Sequence, residues 1–144
     1  MKPPDIPLPT HRYVPGRTPR HAEGAFEVFH ASVGAGPLAE TLAWRAGWFF
    51  IERGFFWEAH EVLEPVWMAL PPNAPERRFV QAVIQVANAA LKLEMGRPRA
   101  ALRLCGIAEG LMAECAGPSA ILGLDRVRVE RYVSDISGRA EYAL

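Results

Sequence analysis

Apolar residues recur along this chain at intervals of three and four from about residue 25 onward, the spacing of one face of an α-helix. No segment alternates apolar and polar residues between turn signals, so the pattern predicts no β-strand. Glycine and proline divide the periodic region into helix-length segments. The predicted fold class is all-α: an antiparallel helical bundle of five to six helices with a proline-rich N-terminal strap.

The same residues set the predicted helix bounds. Gly54 suits a C-terminal stop, because glycine adopts the left-handed conformation that ends many helices. Pro37 and Pro98 suit first turns, where a helix does not use the N–H that proline lacks. Asn73, with Glu76 three residues later, predicts a capping box. The predicted helices are residues 25–32, 37–53, 55–70, 73–95, 98–117 and 125–137.

Residues 1–24 differ from the rest of the chain because they contain six prolines and show no apolar periodicity. Proline blocks helix interiors and biases the residue before it toward extended backbone. This segment is therefore predicted to be an extended strap, and residues 25–144 are predicted to form a single helical domain. A docked strap and a disordered arm both agree with this composition.

A docked strap is expected to lie across the acidic helix at residues 55–70. The strap is mainly basic, and the helix face that it would meet carries Glu58, Glu61 and Glu64. Tyr13 and Val14 are expected to act as apolar anchors. His21 is the strap residue expected to approach His60.

Composition narrows the classes of function. Lysine plus arginine and aspartate plus glutamate each total 16, so the chain has no net charge to attract nucleic acid or an anionic membrane. Its most apolar run, residues 46–51, is too short to cross a bilayer, which takes about 20 apolar residues. The first residues are too rich in proline for a signal peptide. Two cysteines without a C-x-x-C pair suit a reducing compartment, so a cytoplasmic protein with no nucleic-acid or membrane partner is predicted.

Two of the predicted helices carry unusual polar stripes. In residues 55–70 the side opposite the apolar face combines acids with indole rings: Trp57, His60, Glu61, Glu64 and Trp67. In residues 73–95 a narrow stripe steps by three and four: Arg78, Gln81, Gln85, Asn88 and Lys92. The rest of this helix is almost entirely apolar, which is typical of a buried helix. Its amides then need partners inside the protein, because an unpaired buried polar group costs about 1–3 kcal/mol.

The short loop between these helices predicts that they are antiparallel neighbours. The two stripes would then face each other. The expected pairs are Arg77 or Arg78 with Glu64, and Gln81 or Gln85 with His60 and Glu61. The sequence therefore predicts one connected, largely buried polar cluster that contains His60, Glu64, Arg78 and Gln85.

These residues also carry a family resemblance. The string GFFWEAHEVLE at residues 54–64 is followed by Trp67, Arg77-Arg78, Phe79, Gln81, Ile84-Gln85 and Gly96. Over about residues 37–116 the chain resembles the microbial family called domain of unknown function three hundred and nine, whose hallmark is an A-H-E-x-x-E-x-x-W helix followed by an F-x-Q-x-x-I-Q helix. The resemblance implies an all-helical fold, and it assigns no catalytic roles because the family has no established activity. Lys92 and Arg97 stand where the family often has histidine and asparagine, which disfavours a mechanism that needs a second histidine from that helix.

The polar cluster is interpreted first as a structural hydrogen-bond network or a small-molecule pocket. As a pocket, its predicted ligand-binding residues are Trp57, Trp67, Arg77, Arg78, Gln81 and Gln85.

Two other classes of function stay open. A hydrolase-type enzyme would use His60 as a general base, oriented by Glu61 or Glu64. A metal-dependent variant would ligate a divalent ion with His60 and Glu64, although H-E-x-x-H is absent and no other cofactor is predicted. An interaction module would use part of the four tryptophans and the phenylalanine runs as a homodimer surface.

Overall fold

A computed structural model describes residues 5–115 and 117–144. Its helices lie in the regions where the apolar periodicity predicts them. The α-helices are α1 (Glu27–Ser32), α2 (Leu42–Arg53), α3 (Phe56–Ala69), α4 (Pro75–Glu94), α5 (Pro98–Glu114) and α6 (Arg126–Tyr142). The predicted all-α fold is confirmed. None of the helices in the described residues has the length and apolarity needed to cross a membrane.

The start of α2 differs from the prediction. Residues Leu38–Glu40 form a 3₁₀ turn, and α2 begins only at Leu42. Between them Thr41 adopts extended backbone, and its hydroxyl accepts a hydrogen bond from the Trp44 N–H at 3.3 Å. Threonine thus supplies the N-cap that satisfies one of the free N–H groups of the first turn.

The capping box predicted at Asn73 is wrong. The N-cap of α4 is Ala74, which makes no side-chain capping bond, and Pro75 occupies the first turn. Proline at this position already has the helical φ and has no N–H to satisfy, so the helix starts without a polar cap. At the other end of the chain α6 continues to Tyr142, beyond the predicted end at residue 137.

A small hairpin corrects the prediction that the chain has no strand. β1 (Ala120–Ile121) and β2 (Leu124–Asp125) pair antiparallel, with Ile121 opposite Leu124. Leu122 and Gly123 connect them with φ of 51° and 78°, the positive values of a tight hairpin turn. Two-residue strands are too short to show an alternating pattern, which is why the sequence gives no sign of them.

The chain divides into two compact units, residues 1–69 and 70–144. In the first unit α2 packs on α3, and α1 contacts both helices. The apolar face of α3 follows steps of three and four, and each of its members is fully buried: Ala59, Val62, Leu63 and Val66. At Gly47 of α2 the absence of a side chain leaves room for Leu63, which marks a close approach of the two helices.

Pro65 interrupts the hydrogen-bond ladder inside α3. Because proline has no N–H, the carbonyl of Glu61, four residues earlier, loses its helical partner. His30 of α1 takes that place: its Nε2 donates to the Glu61 carbonyl oxygen at 3.2 Å. The proline therefore gives α1 a point of attachment on α3.

In the second unit α5 packs against both α4 and α6. Small side chains allow the close packing on α5, where Ala101, Cys105 and Ala108 are buried. The Cys105 thiol lies in the contact with α6, with Sγ 3.9 Å from the Val133 carbonyl oxygen. Cys115 is also buried, and both cysteines are free thiols.

Burial raises the pKa of the Cys105 and Cys115 thiols, because the thiolate loses its hydration. The folded chain then holds these protons at a pH where the unfolded chain releases them. The resulting stability is fully present below the unfolded thiol pKa of about 8.5 and is lost as pH rises through the higher folded pKa. We expect the free energy of unfolding, measured by urea denaturation, to fall above that pH. A Cys105→Ala/Cys115→Ala variant should fall less steeply, and an unchanged slope would contradict this.

Candidate functional site

Glu58 is the buried acid of the first unit. It precedes Val62 and Val66 by steps of four, so it lies along the edge of the apolar face of α3. Its side chain is 0% exposed. Its position in the first turn of α3 also places the carboxylate where the helix dipole favours negative charge.

Two groups of the strap bind the Glu58 carboxylate. The backbone N–H of Tyr13 and Nε2 of His21 each donate to Glu58 Oε2 at 2.6 Å. The His21 side chain is only 5% exposed. Distances this short are typical of charge-assisted hydrogen bonds. We call Tyr13, His21 and Glu58 the strap latch.

Aromatic rings enclose the latch. His21 stacks on His11 with ring centres 4.3 Å apart and on Trp57 with centres 5.8 Å apart. The Tyr13 ring meets Trp57 edge-on at 5.1 Å, and Val14 is buried. The strap contacts α3 in the expected region, with Tyr13 against Trp57, and Val14 is buried. The expected partner of His21 is wrong: its Nε2 bonds to Glu58 instead of approaching His60.

The strap is also organised by its own hydrogen bonds. His11 Nε2 donates to the Pro19 carbonyl oxygen at 2.7 Å, which closes a loop over the residues between them. Inside the loop the Thr18 hydroxyl donates to the Arg12 carbonyl at 2.8 Å and accepts from the Val14 N–H at 2.7 Å. These bonds preset the loop that carries the Tyr13 N–H to Glu58.

The burial predicted for Glu64 is wrong. Glu64 is 56% exposed and pairs with His60, itself 36% exposed, at 3.3 Å across one helical turn. The reason is angular: position 64 lies two residues from both Val62 and Val66, about 200° around the helix axis from either one. The carboxylate that the apolar face carries inward is that of Glu58.

The predicted site residues of α4 have partners within the second unit. The Arg78 guanidinium donates to the Asn73 carbonyl at 3.3 Å and lies 4.0 Å from a Glu114 carboxylate oxygen. Gln85 Oε1 accepts from Asn88 Nδ2 at 3.4 Å. Trp57, Glu61, Trp67, Arg77 and Gln81 are half-buried, as are Arg78 and Gln85. A meeting of the α3 and α4 stripes would join the two units, and it stays a prediction.

A small pocket of about 160 Å³ lies beside the strap latch, between the strap, α1 and α3. The side chains that matter for its chemistry are His21, Phe26, Glu27, His30, Trp57 and Glu61. Trp57 and Glu61 belong to the site predicted from the sequence. His21 comes from the strap, Phe26 directly precedes α1, and Glu27 and His30 belong to α1.

A metal centre is not evident in the described part of the chain. No group of three or more His, Cys, Asp or Glu side chains there is placed to hold a metal ion. His60 and Glu64, the ligands predicted for a divalent ion, contact each other at 3.3 Å. A metal at this pair stays a prediction.

The charge pattern of the sequence places Glu58 on the helix face that meets the strap, but it does not identify Glu58 as the partner of His21. A signal was available in the spacing, because Glu58, Val62 and Val66 share one column of the helix. The role of the Tyr13 backbone N–H leaves no trace in the sequence, since every residue except proline carries that donor.

Comparison with known protein families matched residues 44–104 to the family described as "Domain of unknown function (DUF309)". The match begins in α2, contains all of α3 and α4, and ends within α5. It confirms the resemblance seen in the A-H-E-x-x-E-x-x-W helix. No curated protein and no solved structure matched the chain.

Proposed function

Because residues 44–104 match the DUF309 family, whose description assigns no activity, we propose a function from the geometry of the first unit. The unit is a ligand-binding helical module, and the strap latch is the structural network that holds its pocket together. The observation that carries this proposal is Glu58, a fully buried carboxylate that accepts two hydrogen bonds of 2.6 Å from the strap.

A buried carboxylate has a cost that explains what the latch does. Moving a carboxylate from water into the protein interior costs several kcal/mol of desolvation free energy. Good hydrogen-bond partners recover about the same amount, so a buried carboxylate with its donors is weak evidence for net stability. What they supply is selection of one arrangement, because any other strap position leaves Glu58 without donors. The latch therefore fixes His21 as a wall of the pocket.

Binding suits the lining better than covalent catalysis by a hydroxyl, thiol or amine. Among the described residues that line the pocket there is no serine, threonine, cysteine or lysine to act as a nucleophile. A second candidate function is proton transfer by His21. It is favoured by the bond from Nε2 to Glu58, which orients the ring as a carboxylate orients the base of a catalytic dyad. This candidate replaces His60 and Glu64 with His21 and Glu58.

The partner of the module is proposed to be a small molecule, as the pocket volume suits one. A cytoplasmic location is part of the proposal. It is supported by two cysteines that are both free, because the cytosol keeps thiols reduced. A second copy of the chain as a partner stays a prediction from the aromatic content.

Limited trypsin digestion of the full chain tests the docked strap. Arg12, Arg17 and Arg20 have exposed side chains on a backbone that the latch holds in place. We expect cleavage after these arginines to be slow in the wild-type chain and at least about tenfold faster in His21→Ala, because proteolysis follows the population of the opened state. Cleavage after Arg103 of α5 is the internal control for global unfolding and should change less.

Rapid cleavage after the strap arginines in the wild-type chain, equal to that in His21→Ala, would show that the strap is free and overturn the proposal. A matched increase at Arg103 would mean that the whole chain opens, which would equally remove the argument for a local latch.

A further inference from the structure

We infer that the pocket beside the strap latch binds a small organic cation through its ammonium group. The inference rests on the proposed function, since the strap supplies His21. Four features of the pocket point to this class of ligand: its charge, the free atom of His21, its aromatic walls and its size.

The pocket is acidic. Glu27 of α1 and Glu61 of α3 line it, and no lysine or arginine is among the described lining residues. The carboxylate of Glu58 lies directly behind His21. An anion in this pocket would face the carboxylates of Glu27 and Glu61 with no lysine or arginine to balance them, whereas a cation would be attracted by both.

His21 presents a hydrogen-bond acceptor that the protein does not use. Its Nε2 donates to Glu58, so in the neutral ring Nδ1 carries the lone pair. Within the described residues no hydrogen bond reaches Nδ1, although the side chain is only 5% exposed. His11 and Trp57 both stack on the ring, and His21 is one of the residues that line the pocket. An ammonium N–H is a donor that fits this acceptor.

The walls suit a positive charge as well. Trp57 and Phe26 meet at an angle of 66°, with ring centres 5.9 Å apart, and both line the pocket. Aromatic rings attract cations through the negative potential of their faces, and tryptophan does so best. Together the rings and the acids form a partial cage around a cation. An uncharged ligand of the same shape would contact the rings but would not gain the attraction to the carboxylates.

The volume limits the ligand. About 160 Å³ is the space of roughly five water molecules at about 30 Å³ each, well below the volume of pockets for drug-sized ligands. The site therefore suits an ammonium group with about four carbon atoms. Either a free small amine or the end of a lysine side chain from a partner protein has this chemistry.

Titration of the full-length chain with matched probes tests the inference. tert-Butylammonium and tert-butanol have the same shape and differ in charge, and tetramethylammonium keeps the charge but has no N–H donor. By calorimetry at neutral pH, we expect tert-butylammonium to bind at least about tenfold more tightly than tert-butanol and several-fold more tightly than tetramethylammonium. Pivalate, an anion with the same tert-butyl group, should not bind.

Two variants connect binding to the pocket. Glu61→Gln and Glu27→Gln remove lining charges and should each weaken tert-butylammonium binding by about five- to tenfold, as expected for one charge at short range. Glu40→Gln makes the same change in the 3₁₀ turn, outside the pocket, and should leave the affinity unchanged. Nα-acetyl-lysine amide separates the two sources: tighter binding than tert-butylammonium indicates a lysine side chain, and weaker binding indicates a free amine.

Equal affinity for tert-butylammonium and tert-butanol, or no binding of either, would overturn the cation site. Equal affinity for the two cations would overturn the role of His21 Nδ1. Trypsin digestion of the same samples distinguishes this failure from that of the proposed function. A protected strap with no ammonium binding removes only the ligand class, whereas an unprotected strap removes the pocket wall and with it both proposals.

Discussion

Replacing Glu58 with alanine should lower the free energy of unfolding of the first unit by about 1–3 kcal/mol for each buried donor that loses its acceptor. The change leaves the Tyr13 N–H and the His21 ring without their acceptor and opens a void at the start of α3. Urea denaturation followed by tryptophan fluorescence is a suitable measurement, because Trp57 packs on the latch.

Glu64→Ala is the matched control on the same helix. Its carboxylate is 56% exposed and its pair with His60 faces solvent, so removal should change the free energy of unfolding by no more than about 0.5 kcal/mol. Equal losses for the two variants would mean that Glu64 has a buried partner in solution. A negligible loss for Glu58→Ala would show that the latch contributes no stability.

Gly47→Ala should also destabilise the chain, although alanine has a higher helix propensity than glycine. A methyl group at position 47 would lie 2.5 Å from Leu63 Cγ and closer still to Cδ2. Leu63 is fully buried, so its branched end has no open space to move into. Overpacking a core costs about 1–3 kcal/mol, while alanine in place of helical glycine returns about 1 kcal/mol. We expect a net loss, which thermal unfolding would measure, and a larger loss for Gly47→Val.

Gly110→Ala supplies the control for that substitution. Gly110 lies inside α5, and an added methyl group there meets nothing within 4 Å. The same exchange should raise the free energy of unfolding by up to about 1 kcal/mol through helix propensity alone. If both variants shift stability in the same direction, the close approach of α2 and α3 at Gly47 is not rigid in solution.

The helices and the strap were accessible from sequence because their signals are local. The apolar steps of α3 and the breaks at Gly54 and Pro98 need only neighbouring residues to be read. The mainly basic charge and the prolines of the strap gave a reason to dock it on the acidic helix. The exact partner was out of reach, because His21 and Glu58 are 37 residues apart and their meeting depends on the path of the loop.

The error at Glu64 has a general physical cause. Periodicity fixes the angle at which a side chain leaves the helix axis, but it does not state what covers that side. Trp57 and Trp67 flank the acids of α3, and the two rings suggested burial on the polar side. Trp57 is indeed covered by the strap, through Tyr13 and His21, whereas that cover does not bury Glu64.

Pro65 links two residues that a reading of single positions would treat as independent. A helix without this proline would satisfy the Glu61 carbonyl itself, and the bond from His30 would have to compete with the backbone N–H for the same oxygen. With the proline in place, losing His30 leaves that carbonyl without the donor that replaced the helical one. The energetic effects of changing the two positions are therefore coupled and should not add. The missing hydrogen bond inside α3 thus provides an acceptor that α1 binds through His30.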